Sequence, residues 1–586
     1  MKKLIYLIAI VILVPVLSGC EDFLDTKNYT TKDVDSFPKS KEDADMMLNG
    51  VYAILNVSHA QAINSWFFVA EMVSDDRFGG GGINDREGQA IAHLMTANAD
   101  QFNQFWGDRY KGIARANQTL EALALLEDDP ENPFLDQKVG EAKFLRANWF
   151  FELVQMFGDV PMPTYTPTSS AEAEVPPAPK PQKEVFANIA TDLWDAYNTM
   201  PEVKTDALIS GTVTKWAAGS LLARVFLFYT GFYSEATLPM NEGEITNAQI
   251  VKVLEDIISK SGHDLLPDFR SLWPYTNKVT KPDYAFAADA PDWVEGKDNK
   301  EVIFAIKFNP MASGWGSETT VGYSNSNCLF FAPRIPGGRK DMGSIFPLGA
   351  GWGMGPVNSK LWDEWPAADP RRMASIFNQA VESPANKYQW GIDKQVEETG
   401  MWQKKVVATT AYGKKGDPAV LYNTFWSDPA YGNIPNDDAQ MGHGSDLILI
   451  RFADVLLMHS ELTQTATGIN RVRQRAGLTP IAAYNTAALR NERRFELAFE
   501  GLRWGDIRRW KIAEEVLDAI YGTPMRNVGT VTSMQKQGPG MKVRYQQTKG
   551  FFNIPQRQID LGAGTLSQNE GWGTNDANYT GYTLEN

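Results

Sequence analysis

The chain has 586 residues and a formal net charge of −15 at pH 7, from 71 acidic and 56 basic residues. A phosphate backbone demands a basic face, so this balance excludes nucleic acid as the main partner and disfavours strongly anionic ligands such as sulfated glycans. The length suffices for several hundred residues of buried core, and nothing after the N-terminus is apolar for long enough to span a bilayer.

Residues 1–19 read as a targeting segment. Lys2 and Lys3 precede an apolar run, Leu4 to Leu17, interrupted by Pro15 and followed by Ser18, Gly19 and Cys20. Small residues before a cysteine are the pattern of a bacterial lipoprotein signal. The thiol of Cys20 would take a diacylglyceryl group, and cleavage before it would make it the new N-terminus. Two or more acyl chains, at about 0.8 kcal/mol per buried methylene, anchor a chain to a membrane without crossing it. The second cysteine, Cys328, is then alone, so no intrachain disulfide is expected and a small buried side chain is the expected role.

From Phe37 to Gly231 the pattern is mostly helical. Ser40 with Asp43 makes a weak capping box before Leu48, Val51, Tyr52 and Leu55. Phe102, Phe105, Trp106, Tyr110, Ile113 and Leu120 continue at helical spacing. Glu141–Phe157 is a further helix, stopped by Gly158 and Pro161. An extended proline-rich connector follows, then helices around Val185–Tyr197, Trp216–Tyr229 and Ile250–Ile258, the second carrying small residues that allow close packing. These are helix hairpins in series, without a strict repeat.

Helical period fades between Ser271 and Gly444. Glu301–Phe308 is a strand candidate by alternation. Gly- and Pro-rich turns recur, and nine of the seventeen tryptophans lie between Trp273 and Trp426. A sugar ring presents a face of C–H bonds that stacks on an indole, while Asp, Asn and Arg take its hydroxyls, so tryptophans on loops are candidate ligand contacts. Trp315 and Trp352 stand between glycines, Trp293 lies in the same stretch, and Tyr323 sits among amides; at least two of the nine tryptophans are expected to touch ligand. The loop 74–88, SDDRFGGGGINDREG, is a second candidate: its four glycines make it mobile or closely approached, and Asp76, Arg77 and Asn84 flank it. It lacks the Gly-Lys-Ser/Thr of a phosphate loop.

From Asp446 to Trp510 helical period returns. Arg451, Asp454, Met458 and Glu461 form one stripe, and Glu496, Glu500 and Arg503 another, beside apolar faces; Gly501 is a stop or kink. Such spacing predicts packed helices braced by partly buried ion pairs.

Enzyme signals are poor. His59, His93, His263, His443 and His459 show no metal spacing, no HExxH or GxSxG occurs, and no carboxylate pair is marked out. No catalytic residue, cofactor or metal is expected.

RFADVLLMHSEL, INRVRQRAGL and ERRFELAFEGLRWGDIRRW in the 446–510 stretch, KWAAGSLLARVFLF at 215–228, and FFNIPQRQIDLG at 551–562 resemble signature segments of the SusD/RagB-like family of outer-membrane glycan-binding lipoproteins of Bacteroidetes. The resemblance implies a mostly α fold: a tetratricopeptide-like scaffold of helical hairpins supporting an irregular, loop-rich ligand-binding region with short strands. On that scheme residues 20–270 are the N-terminal helical part, 271–445 the Trp/Gly-rich ligand region, and 446–586 the helices and tail that complete the scaffold. It implies a non-catalytic surface protein, lipid-anchored to the outer membrane at Cys20, with Glu21 and Asp22 favouring surface export. The implied partners are a neutral glycan and a SusC-like TonB-dependent transporter. It raises Asp76, Arg77 and Asn84 as contacts, and it matches Asp369 and Arg371 to a recurrent Asp-x-Arg pattern. A peptide-binding member of the same scaffold and a secreted glycan-degrading enzyme are the alternatives.

Overall fold

A computed structural model describes residues 40–126, 134–167, 177–204, 211–308, 323–334, 342–383, 387–412, 421–423 and 443–582. The first described helix, Lys41–Ala60, begins at the expected cap: Ser40 Oγ accepts from the Asp43 backbone N–H at 3.2 Å, satisfying a donor that the first turn leaves free. The helices Asn103–Leu123, Phe134–Phe157, Gln182–Thr199, Lys215–Tyr233 and Asn247–Lys260 follow, and each packs on the next. This is the expected series of helical hairpins. Contact is close where small residues permit it. A Cβ on Gly112 would lie 2.7 Å from the Trp149 indole, and one on Gly219 2.8 Å from Val253 Cγ1.

The helix Asn247–Lys260 does not hand on to its sequence neighbours; it packs on Phe452–Thr463. The loop-rich stretch between them leaves the helical array and returns to it. Helices described in that stretch are short, and every described sheet has two strands.

Val302–Ile306 is the expected strand, and it pairs antiparallel with Leu447–Arg451. This corrects the helical reading of 446–461, because the helix begins only at Phe452. The run Leu447-Ile448-Leu449-Ile450 satisfies either period, and the open edge of Val302–Ile306 decides it. The later charged run likewise splits into Thr486–Glu496 and Arg503–Arg509. Phe499 at φ +65° and Gly501 at φ +74° turn the chain between them.

The charge stripes become buried ion pairs. Arg451 donates to Glu301 at 2.8 Å, Glu496 at 2.6 Å and Glu500 at 2.6 Å. Arg493 bridges Asp454 at 2.8 Å and Asp506 at 2.9 Å, and Arg509 reaches Glu461 at 2.6 Å. Burial alone would raise the Glu496 carboxyl, but Arg475, Arg451 and Arg371 around it hold it well below the usual carboxylate range. Arg451 ties the returning segment to Glu301 at the start of the Val302–Ile306 strand, and the Arg493 and Arg509 pairs tie the returning helices to one another. Removing one partner from such a pair leaves an uncompensated buried charge, at about 3–5 kcal/mol.

Cys328 is buried, its Sγ 3.2 Å from Ser445 Oγ, and burial pushes its thiol up to about 12. It is therefore inert at neutral pH.

Candidate functional site

The glycine loop is closely approached on every side. Gly80 has φ +67°, and a Cβ there would lie 2.3 Å from Pro356 Cδ and 2.4 Å from the Gly353 carbonyl. The Gly81 N–H donates to Gly353 O at 2.7 Å, and Val396 N–H donates to Gly81 O at 2.9 Å. Gln89 Nε2 donates to both Gly80 O and Gly82 O at 2.8 Å. The loop thus ties together two segments distant in sequence, 351–357 and 393–397.

The side chains at the rim of this tie form the candidate site. Gly82 N–H and Arg334 Nη1 both donate to Asp85 Oδ2, each at 2.7 Å. Arg334 Nη1 also donates to the Trp352 carbonyl at 2.8 Å, and its Nε lies 3.7 Å from Asp393 Oδ2. The Asp393 side chain is 65% exposed. Asn84 is exposed in the turn just before Asp85, and Trp352 is half-buried with its indole 4.4 Å from the Phe330 ring. One junction therefore gathers an amide, two carboxylates and a guanidinium beside the backbone of a half-buried tryptophan. That set can exchange hydrogen bonds with hydroxyls.

Of the expected contact residues, this junction gathers Asn84 and Trp352. Asp76, Arg77 and Arg371 are corrected: all three lie in the interior. Asp76 Oδ1 accepts from Arg494 at 2.6 Å and 2.9 Å. Arg77 is 2% exposed, pairs with Glu71 at 2.5 Å, and lies over the Phe331 and Phe499 rings at 4.3 and 4.7 Å. The loop is pinned flat, so its N-terminal flank runs beneath it, where buried partners occupy the charges. Arg371 is 1% exposed; it pairs with Asp369 at 2.8 Å, Glu492 at 2.7 Å and Glu496 at 2.8 Å. Asp369 also caps the helix Pro370–Ser375 by accepting from the Arg371 N–H at 3.0 Å.

Tyr323 is half-buried against the main core. Trp293 lines a separate small cleft of about 60 Å³ with Trp273, Asn299, Lys405 and Glu500, which shares no lining residue with the junction. Trp315 and Cys20 lie outside the described residues. Sequence reasoning missed Arg334 and Asp393, which stand alone in their loops with no spacing to mark them. Among the described residues, no group of three or more His, Cys, Asp or Glu is placed to hold a metal ion, and no helix is long and apolar enough to cross a membrane.

Comparison with known proteins agrees over most of the chain. The model of the SusD family matches residues 358–572, and a model described as starch-binding associating with outer membrane matches residues 22–227. SusD-like protein P2 of Formosa agariphila is 25% identical over 540 residues, covering 88% of this chain and 92% of its own length. Surface glycan-binding protein A from Bacteroides fluxus superposes with TM-score 0.68 at 23% identity, over 91% of this chain and all of its own. The Bacteroides thetaiotaomicron surface glycan-binding protein A, solved in complex with laminarihexaose, superposes with TM-score 0.66 at 20% identity, over 90% of this chain and 99% of its own. These likenesses show the same helical scaffold with an inserted loop region. With two family models matched at opposite ends of a scaffold shared almost end to end, the chain belongs to the SusD/RagB-like family.

Proposed function

We propose that this protein is a non-catalytic, lipid-anchored surface protein that captures an oligo- or polysaccharide and passes it to a TonB-dependent outer-membrane transporter. The observation that carries the reading is the junction of Trp352, Asn84, Asp85, Arg334 and Asp393 on one loop face. Its charges nearly balance, which suits a neutral glycan, and the Trp352 indole is proposed as the apolar platform that a sugar ring requires. Similar proteins are named as glycan-binding, one of them in complex with laminarihexaose. Trp315 and Tyr323 are proposed as further contacts on the same part of the chain, and the Trp293 cleft as a separate subsite. Cys20 would carry the anchor. The test is a glycan-array screen of the soluble chain lacking residues 1–20, followed by a reducing-end assay on every bound polysaccharide. Binding without release of reducing ends is expected; release would make the protein an enzyme, and binding of peptide but no glycan would replace the ligand class.

A further inference from the structure

Beneath the glycine loop lies a buried carboxylate that none of the ligand chemistry above uses. Glu397 is 0% exposed. Its Oε2 accepts from the Gly79 N–H at 2.5 Å and the Gly80 N–H at 3.3 Å. Its Oε1 meets His93 Nε2 at 2.8 Å and accepts from the Tyr582 hydroxyl. Burial would raise this carboxyl, but His93, Tyr582 and the Gly79 amide hold it below its ordinary value, so it is an anion in place.

The backbone at Glu397 is in the left-handed region, with φ +50°. Asp393 at φ +46° and Lys394 at φ +58° share that region four and three residues earlier. Non-glycine residues with positive φ are strained and persist only where the surroundings over-determine them. Here the surroundings are visible. The Glu397 N–H donates to Asn527 Oδ1 at 2.7 Å, and the Glu398 N–H to Arg526 O at 2.9 Å. The strained stretch carries Asp393, which faces Arg334 at the rim.

The other side of the carboxylate is held by a strap, the segment Ala577–Tyr582. The strap runs beside Thr96: the Thr96 N–H donates to Ala577 O and the Tyr579 N–H to Thr96 O, both at 2.9 Å. Tyr579 stacks on His93, with centroids 5.5 Å apart and planes 14° apart. Its hydroxyl donates to Gln89 Oε1 at 3.0 Å, and Gln89 in turn holds the Gly80 and Gly82 carbonyls. Two tyrosines of one strap therefore reach the two side chains that fix the loop from below.

We propose that Glu397 and the strap tyrosines Tyr579 and Tyr582 are positioning residues, which hold Asn84, Asp85, Arg334 and Asp393 in one pre-formed arrangement for the ligand. None of the three touches ligand. They act by removing the ordering that a glycine-rich loop would otherwise require on binding. The role deepens the glycan reading above, and it is tested without any ligand. Hydrogen exchange of the whole chain, followed by mass spectrometry, reads the Gly79–Gly82 amides in the native protein and in Tyr582→Phe. Loss of one hydrogen bond to a buried anion is expected to speed exchange of the 77–85 segment about tenfold, with the core helices Phe134–Phe157 and Lys215–Tyr233 unchanged. Tyr579→Phe keeps the ring on His93 and is expected to give a smaller rise, through Gln89. Unchanged exchange at 77–85 would overturn the proposal, and so would a rise spread equally over the core helices. If Tyr582→Phe fails to fold, Tyr579→Phe decides alone, by a rise confined to 77–85 or its absence. A chain that binds no glycan but shows the confined rise would refute the ligand reading and leave the positioning role standing.

Discussion

Arg503 fastens the segment leading into the glycine loop. Its Nε and Nη2 each meet an Asp75 carboxylate oxygen at 2.7 Å, and Arg494 adds a longer contact at 3.5 Å. Burial alone would raise the Asp75 carboxyl, but Arg503 and Arg494 outweigh it and bring it down from 3.8 to about 2. A carboxylate depressed by that much contributes about 2 kcal/mol to stability. Because the folded value lies below the unfolded one, this contribution is present above about pH 4 and lost as pH falls towards 2. Replacing Arg503 by Ala also strands a buried charge, so the expected loss at pH 7 is about 3 kcal/mol. At about 2.1 cal/mol/K of unfolding entropy per residue, a chain this long should lose about 2–3 °C in Tm. Differential scanning calorimetry of both proteins at pH 7 and pH 3 reads it. The gap should be wide at pH 7 and narrower at pH 3. Glycan affinity per folded molecule should stay within about twofold, because Glu397, Gln89 and Gly353 hold the loop without Arg503. A stable Arg503→Ala protein that had lost binding would refute the assignment of these helices to bracing.

Three other outcomes are expected. Glu398 is buried, which raises its carboxyl to about 7 despite bonds from the Gly391 N–H and the Tyr388 hydroxyl, so stability should fall as pH rises from about 4.5 to 7. Glu398→Gln should flatten that slope, by up to about 3 kcal/mol in urea titrations, and an unaltered slope would locate the titration elsewhere. Gly80→Ala should cost at least about 2 kcal/mol in the same titrations, since the left-handed backbone and the Gly353 carbonyl both oppose a Cβ; a neutral effect would mean the loop is not pinned. Cys20→Ser should abolish fatty-acid labelling and release the protein from the membrane fraction, whereas a labelled variant would place the lipid on another residue.

The helical array was legible because its apolar residues repeat at one period over many turns, and Ser40 and Gly158 mark ends that elementary capping rules locate. The strand Leu447–Arg451 was not, because its pairing edge lies near residue 304 and no local pattern favours sheet over helix there. The site was half legible. Four glycines and a Trp between glycines marked the two loops that the structure brings together at residues 80 and 353. Which flank of the loop faces outward depends on partners far along the chain: Arg494, 418 residues from Asp76, draws that side chain inward. Arg334 pairs with Asp85 across 249 residues, and nothing near either residue announces the pair. Charge stripes at helical spacing carried the opposite lesson. They were conspicuous in the sequence and turned out to brace the scaffold.

The most direct test is a calorimetric titration of the native chain and the Trp315→Ala/Trp352→Ala double variant with each neutral glycan retained in the screen. At least one glycan should bind the native chain, and the double variant, titrated at a temperature where it is fully folded, should bind it at least about tenfold more weakly, since about 1.4 kcal/mol of stacking is lost. Undiminished affinity in a folded double variant would contradict the assignment of Trp315 and Trp352 to the glycan.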